Sequence, residues 1–328
     1  MQQRPVVAIT MGDPAGVGPE VIVKALSLRE MYEQSVPVVI GDYGLISDTI
    51  ANMRSAQSVH RIRDCSEAVA TYDVIDLIDP TNVNSAYVTF DRLSRESAQA
   101  ATDYLRVACD LASRGSVHAV VGGPTDGSLI QTLYGNDLLT VHIHGAFKIV
   151  YPTLSAPLHR VLTHISQERV ELLIDSTLSI CDRLGISDPR IAVLGVNPHP
   201  DRSPGVEETS AIIPAVEQAK GRGSRVFGPM NPDQAFSGLS CGKYDIGLAM
   251  YHDQGHFPMK MLKLVNPAWR DQWLATAGMR LIWGLPLLFT TVDHGAQFEL
   301  AGRNESSALS LIEAVRLAVK IAKRSPRI

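Results

Sequence analysis

Three loops hold the residues whose types and spacing could do chemistry. The first, Gly12-Asp13-Pro14-Ala15-Gly16-Val17-Gly18-Pro19-Glu20, leaves a β-branched run and opens a helix, with Pro19 suited to the first helical turn. Its glycines permit tight backbone geometry and close approach of a ligand to the helix N-terminus. A plain strand-to-helix turn accounts for the same shape. The spacing is not GxGxxG and no acidic residue ends a second strand in register, which excludes the ordinary dinucleotide fingerprint. The second loop, Gly195-Val196-Asn197-Pro198-His199-Pro200-Asp201, and the third, Ala249-Met250-Tyr251-His252-Asp253-Gln254-Gly255-His256, both follow apolar, strand-like runs. Ligand sites in α/β sheets gather at the C-terminal edge of the strands. His164 makes a third histidine of this kind, ending the apolar run from His159 to Thr163. Three imidazoles from three strand ends would leave one or two coordination positions open, as a catalytic divalent ion requires. Taken singly, each is more often a hydrogen-bonded loop residue, and dispersed ligands obey no local spacing rule. His142 and His144, two apart on an extended segment, are a competing metal pair with nothing acidic or histidine-rich beside them.

The elements that must position these loops are those of an α/β protein. At 328 residues, the chain divides into roughly two domains of about 150 residues each. Val6–Thr10, Val36–Ile40, Val74–Ile78, His118–Val121, Ile191–Val196 and Ile246–Met250 read as buried strands. Pro19–Leu28, Ser94–Ser113, Val170–Leu184, Thr209–Lys220 and Ser306–Ala322 read as helices, with Gly115 and Gly185 as stop signals. Strands alternating with helices mean βαβ units and a mainly parallel sheet. Residues 264–279, where NPAWRDQW interrupts the pattern, read as a surface loop or flap. Lys plus Arg number 30 against 34 Asp plus Glu, so neither nucleic acid nor an anionic membrane is expected as partner. The cysteines, Cys65, Cys109, Cys181 and Cys241, form no CxxC pair and read as small hydrophobes in a reducing compartment. Any catalytic metal must then use nitrogen and oxygen ligands. MQQRPVVAIT turns straight into a strand, and the longest apolar stretch, Leu281 to Val292, is broken by Gly284 and Pro286. A cytoplasmic protein is the expectation.

Longer strings carry a resemblance. TMGDPAGVGPE, NPH, AMYHDQGHFPMK, and GLP followed by VDHG and ELAGR resemble the 4-hydroxythreonine-4-phosphate dehydrogenase family nearly end to end. The resemblance implies the two-domain fold of the isocitrate and isopropylmalate dehydrogenases, with residues 1–132 plus 285–328 as the first domain. Residues 133–284 form the second, with the metal-site histidines and dimer contacts. It further implies NAD(P), a divalent ion (Zn²⁺, or Mg²⁺, Co²⁺ or Mn²⁺), oxidation of a hydroxyl with loss of carbon dioxide, and a homodimer whose metal site draws on both subunits. By position, the family's metal histidines fall on His164, His199 and His252, and its substrate lysine on Lys260. Asp253 would orient a ligand or act in proton transfer. His294-Gly295-Ala296-Gln297-Phe298-Glu299 resembles the adenosine-binding segment of the wider family, with Gly12 and Asp13 of the first loop as further cofactor contacts.

The substrate pocket departs from the family. The usual GHTE is absent, and Tyr134-Gly135-Asn136-Asp137-Leu138-Leu139 stands near its place, with Asn136 and Asp137 as the substitute contacts. A substrate-binding Asn is replaced by Arg280 and an anion-binding Arg by Phe289; Trp269 and Trp273 lie in an insertion. Loss of a positive anchor and gain of Phe289 and Trp283 point to a ring-bearing substrate, a carboxylated cis-dihydrodiol from aromatic-acid breakdown, with Arg280 on a ring carboxylate. The alternatives are 4-hydroxythreonine 4-phosphate or a sugar-acid phosphate, and, in another class, a metal-binding homologue without catalysis. In every enzymatic reading the substrate is a small anionic hydroxy acid. Glu299 would accept hydrogen bonds from ribose hydroxyls and repel a 2′-phosphate. Steady-state kinetics should therefore show a higher kcat/KM with NAD than with NADP; the reverse order would remove that role from Glu299.

Overall fold

Strands buried on both faces are what a parallel sheet covered by helices requires, and the apolar runs supply them. The computed structural model describes residues 4–80, 94–125, 129–135, 137–153, 156–264 and 278–324. The chain forms two compact units, Met1–Tyr134 with Leu274–Ile328, and Gly135–Trp273.

The first unit opens with β1 (Val6–Thr10), α1 (Gly18–Leu26), α2 (Arg29–Gln34), β2 (Val36–Ile40), α3 (Tyr43–Asn52), β3 (Ser58–Arg61) and β4 (Val74–Ile78). It continues with α4 (Arg95–Ser113), β5 (Ala119–Gly122) and α5 (Leu129–Tyr134). Ser94 caps α4 through a reciprocal bond with Ser97, so the helix begins where the sequence predicts. The second unit holds β6 (Leu139–His144), β7 (Phe147–Pro152), α6 (Leu158–Leu162), α7 (Gln167–Leu184) and β8 (Ile191–Leu194). After these come a π-helical turn (Glu208–Ile212), α8 (Ile213–Gly221), β9 (Val226–Met230), α9 (Pro232–Ser240), β10 (Ile246–Leu248) and α10 (His252–Leu264). The chain returns to the first unit with β11 (Met279–Trp283), β12 (Phe289–Val292) and α11 (Leu309–Arg324).

In the first unit the strand order is β3-β4-β2-β1-β5-β12-β11, parallel except for the β11–β12 hairpin. In the second it is β6-β7-β10-β8-β9, parallel except for the β6–β7 hairpin. The mainly parallel α/β architecture expected from the strand–helix alternation is present. Buried Glu20 on α1 accepts hydrogen bonds from Lys24 (2.7 Å), Ser306 N (2.8 Å) and Asn304 N (3.1 Å), which ties α1 to the turn before α11. Among the described residues no helix is long and apolar enough to cross a membrane.

Three local readings are corrected. The run from His159 to Thr163, read as strand-like, belongs to the short helix α6 (Leu158–Leu162) and its C-cap, so His164 sits in the turn after a helix. The helix expected from Thr209 starts as the π-helical turn at Glu208, where a side chain is recruited to a neighbouring loop. The segment after Tyr251 is the helix α10, which runs through Gly255 and Pro258 because burial of Gln254 and Met259 outweighs their weak helix propensity. The expected flap lies almost wholly in residues 265–277, outside the described residues.

Candidate active site

β7, β10 and β8 are neighbouring parallel strands, so their C-terminal ends share one edge of the second unit's sheet. The loop after β8 carries His199 and the loop after β10 leads into α10 at His252. Backbone groups that leave a ladder need new partners. Here two side chains provide them. Gln254 donates from Nε2 to Gly195 O (2.6 Å) and accepts from Met250 N at Oε1 (2.9 Å), joining the two loops. Glu208, fully buried, accepts from Val196 N (2.7 Å), Asn197 N (2.9 Å), Asn197 Nδ2 (2.6 Å) and Gly205 N (2.8 Å). Burial alone would push its pKa up; the donors from Asn197, Gly205 and Val196 together outweigh burial and hold it below the ordinary carboxylate range. The stabilisation is therefore complete above the unfolded carboxylate pKa and is lost as pH falls through the lower folded value. Glu208→Ala should cost about 3 kcal/mol or more in urea unfolding at neutral pH, because charge-assisted bonds contribute about 1.5–3 kcal/mol each. The deficit should shrink in acid, and a cost below roughly 1 kcal/mol at neutral pH would show the loop to be held otherwise.

The first turn of α10 orients an imidazole. His252 Nδ1 lies 2.8 Å from Asp253 Oδ1, and its side chain is 44% exposed. With the carboxylate as acceptor, Nδ1 carries the proton and Nε2 presents its lone pair. The ring stacks on His256 (4.6 Å between centroids, 23° between planes) and meets the edge of Tyr151 (5.4 Å, 86°). Tyr151 Oη in turn lies 3.2 Å from His256 Nδ1, and His142 on β6 is 5.7 Å from the His256 ring. Thus His142, from the competing pair, belongs to the packing behind His252. A β-carbon at Gly255 would collide with the buried Tyr151 ring. Gly255→Ala should lower stability by about 1–3 kcal/mol through overpacking and weaken divalent-ion binding measured by calorimetry. An unchanged melting temperature would refute this packing account.

The other expected ligands are accessible. His164 is exposed in the turn after α6, where its N–H donates to Val161 O (3.0 Å). His199 is exposed, and its carbonyl accepts from Arg202 N (3.2 Å) and Ser203 N (2.9 Å), opening a turn. Among the described residues no group of three His, Cys, Asp or Glu side chains converges to hold an ion. The His199 and His252 loops come to adjacent strand ends without, among the described residues, closing a three-ligand cage. The donor chemistry nonetheless fits a divalent ion: an imidazole nitrogen whose other nitrogen is paired to a carboxylate is the usual form of a ligating histidine. Lys260, half-buried, lies two turns along α10 from His252.

A cavity of about 510 Å³ opens beside this edge, lined by Asp137, Pro152, Thr163, His164, Ser166, Arg169 and Met250 among others. Arg169 Nη2 is 3.2 Å from Asp137 Oδ1. The expected contact Asn136 and the insertion tryptophans Trp269 and Trp273 lie outside the described residues.

In the first unit the glycine-rich loop is knitted into neighbouring backbone. Asp13 N donates to Pro124 O (2.9 Å) and Val17 N to Ala296 O (2.9 Å). Gly12, at φ +78°, presses against Gly123 and Pro124, and Gly16 against Ala296. Asp13 is buried, its carboxylate accepts from Ala15 N (2.9 Å) and Ser97 Oγ (3.4 Å), and burial pushes its pKa up. Gly12 and Asp13 are thus committed to contacts with Gly123, Pro124 and Ser97, while Gly16 and Val17 meet Ala296 of the His294–Glu299 segment. Within that segment His294 Nδ1 is 2.9 Å from Gly295 O, and Glu299 is exposed on a 3₁₀ turn, Phe298–Leu300. Arg280 donates from Nε (3.2 Å) and Nη2 (3.0 Å) to Val292 O across the β11–β12 hairpin. Phe289 is buried in β12 against Gly122 and does not line a slot for a ring.

The sequence reading missed Glu208, Gln254, Arg169, Tyr151 and His256. His256 had a usable signal, one helical turn from His252. Glu208 had none, because Val196 and Asn197, which it joins to its own turn, lie about a dozen residues away.

Two α/β units with mainly parallel sheets define an isocitrate-dehydrogenase-like fold class. A solved isocitrate dehydrogenase from Methylococcus capsulatus shares that fold at 11% identity (TM-score 0.52, 98% of this chain and 88% of that one). The chain belongs to the family described as pyridoxal phosphate biosynthetic protein PdxA, whose model matches residues 33–318. A relative from Halalkalibacterium halodurans, with the provisional name D-threonate 4-phosphate dehydrogenase, is 32% identical over 98% of both chains. A crystal structure of a 4-hydroxythreonine-4-phosphate dehydrogenase from Burkholderia phymatum matches at 31% identity, with TM-score 0.77 over 98% of this chain and 99% of that one. These relatives are dehydrogenases, which makes the chain an oxidoreductase. The cis-dihydrodiol reading is overturned. A solved terephthalate 1,2-cis-dihydrodiol dehydrogenase from Burkholderia xenovorans is 24% identical (TM-score 0.63, 97% and 98% covered), a likeness of fold alone. The physical basis of that reading fails as well, since Phe289 is core and the Arg280 guanidinium is held by a backbone carbonyl.

Proposed function

We propose that the chain is an NAD-dependent dehydrogenase of a small phosphorylated hydroxy acid, with D-threonate 4-phosphate the first candidate and 4-hydroxythreonine 4-phosphate the second. The observation that carries the reading is the joined pair of loops after β8 and β10: Gln254 ties them together while Asp253 aims the His252 imidazole outward. Relatives named for phosphorylated hydroxy acids, similar along almost the whole chain, support the substrate class. His164, His199 and His252 would hold the divalent ion, zinc or a similar metal. When bound, the ion supplies Lewis-acid polarisation of the substrate hydroxyl, and NAD accepts the hydride. Asp253 keeps the His252 tautomer fixed. Lys260 supplies positive charge for the anionic substrate and for the enolate left when the β-keto acid loses carbon dioxide. Glu299 and His294 serve the adenosine end of NAD. On the family resemblance, we assign a homodimer whose metal site draws on both subunits. Four free cysteines accord with the cytoplasm.

Purified protein incubated with NAD and each phosphorylated acid should release NADH and carbon dioxide in equal amounts with at least one of them. EDTA should abolish the reaction and an added divalent ion restore it. Absence of NADH from every phosphorylated acid, with metal content intact, would favour a metal-binding protein without catalysis.

A further inference from the structure

A phosphorylated substrate needs a cation at its phosphate end, and the two positions where the family resemblance implies polar contacts have changed. Phe289 is buried in the sheet, and the Arg280 guanidinium is turned to the carbonyl of Val292. The cavity that contains His164 contains a guanidinium of its own, that of Arg169.

Arg169 is the third residue of α7. A cation in the first turn sits at the positive end of the helix dipole, so helix stability does not explain it. That end is already satisfied: Ser166 Oγ accepts from Arg169 N (3.3 Å), and the Glu168 carboxylate is held low by its own backbone N–H and by Ser166. The Arg169 side chain instead reaches over the cavity wall to Asp137, Nη2 to Oδ1 at 3.2 Å. The two partners are unequally placed. Asp137 is 94% exposed at its side chain and Arg169 only 33%. An ion pair with so exposed a carboxylate is weak and exchangeable. A phosphate group brings about two negative charges and three acceptor oxygens to a planar fork that matches it. The cavity, about 510 Å³, lies in the range of small-ligand sites, and Met250 on its wall stands two residues before His252.

We propose that Arg169 is the anchor for the phosphate of the substrate, and that Asp137 occupies its guanidinium until the phosphate displaces it. The proposal rests on the substrate class given under Proposed function. It assigns Asp137 to the ligand-free state, as the group that substrate must displace, and makes Arg169 the residue that selects phosphorylated over unphosphorylated hydroxy acids.

The test uses the full-length enzyme, inorganic phosphate as probe, and the variants Arg169→Gln, Arg169→Lys and Asp137→Asn. Calorimetry should show phosphate binding to wild type, weakened about tenfold or more by Arg169→Gln, partly restored by Arg169→Lys, and tightened by Asp137→Asn. In turnover, Arg169→Gln should raise KM for D-threonate 4-phosphate by a similar factor, with a smaller effect on kcat and none on KM for NAD. Phosphate binding unchanged in Arg169→Gln overturns the proposal, as does an equal loss of melting temperature, kcat and NAD affinity. Turnover of no phosphorylated acid by wild type counts against the substrate class alone, since the calorimetric comparison still decides whether Arg169 holds phosphate.

Discussion

The buried carboxylate of Glu208 is the constraint on which the site depends. Where β8 ends, the ladder no longer satisfies the backbone, and the N–H groups of Val196, Asn197 and Gly205 all turn to this one side chain. A carboxylate can accept that many bonds without a competing donor, which an amide or hydroxyl cannot. The loop that carries His199 is therefore held from inside the fold. Gln254 extends the same solution to the next strand end, so that His252 inherits the rigidity of β8 and β10 together.

The two units solve the problem of loop placement differently. In the first, backbone meets backbone: glycines at positions 12 and 16 let the loop after β1 lie directly on Pro124 and Ala296. The Asp13 carboxylate accepts from Ala15 N and Ser97 Oγ within the fold. In the second unit, side chains do the joining and leave imidazoles, a guanidinium and a cavity at the edge. This contrast separates the motif with the most glycines, which holds loops together, from the histidine loops, whose imidazoles at positions 199 and 252 are left accessible.

Much of the fold was legible where a short-range rule applied. Ser94 and Ser166 cap α4 and α7, Gly185 ends α7 in the left-handed conformation, and the β-branched runs at Val6–Thr10, Val36–Ile40 and Val74–Ile78 are strands. The rules failed where packing overrode them. Gly255 and Pro258 disfavour a helix, yet α10 forms because Gly255 admits the Tyr151 ring and Met259 is buried. Phe289 stood where an anion-binding residue was expected and was read as pocket lining, although its place in β12 makes it core. His199 and His252 do follow strand ends, while His164 was read with the wrong element before it, since five apolar-rich residues fit a strand or a helix equally.

By itself, the sequence determined the alternation of strands and helices, the absence of a dinucleotide fingerprint, and the loops that bear histidines. These are properties of neighbours within a few residues, and local sterics and apolar periodicity settle them. The tertiary structure alone decided which groups meet: Glu208 with Asn197, Gln254 with Gly195, Arg169 with Asp137, Phe289 with Gly122. Each of those pairs joins residues from different elements, and the long-range order of a parallel sheet, not the spacing along the chain, brings them within bonding distance.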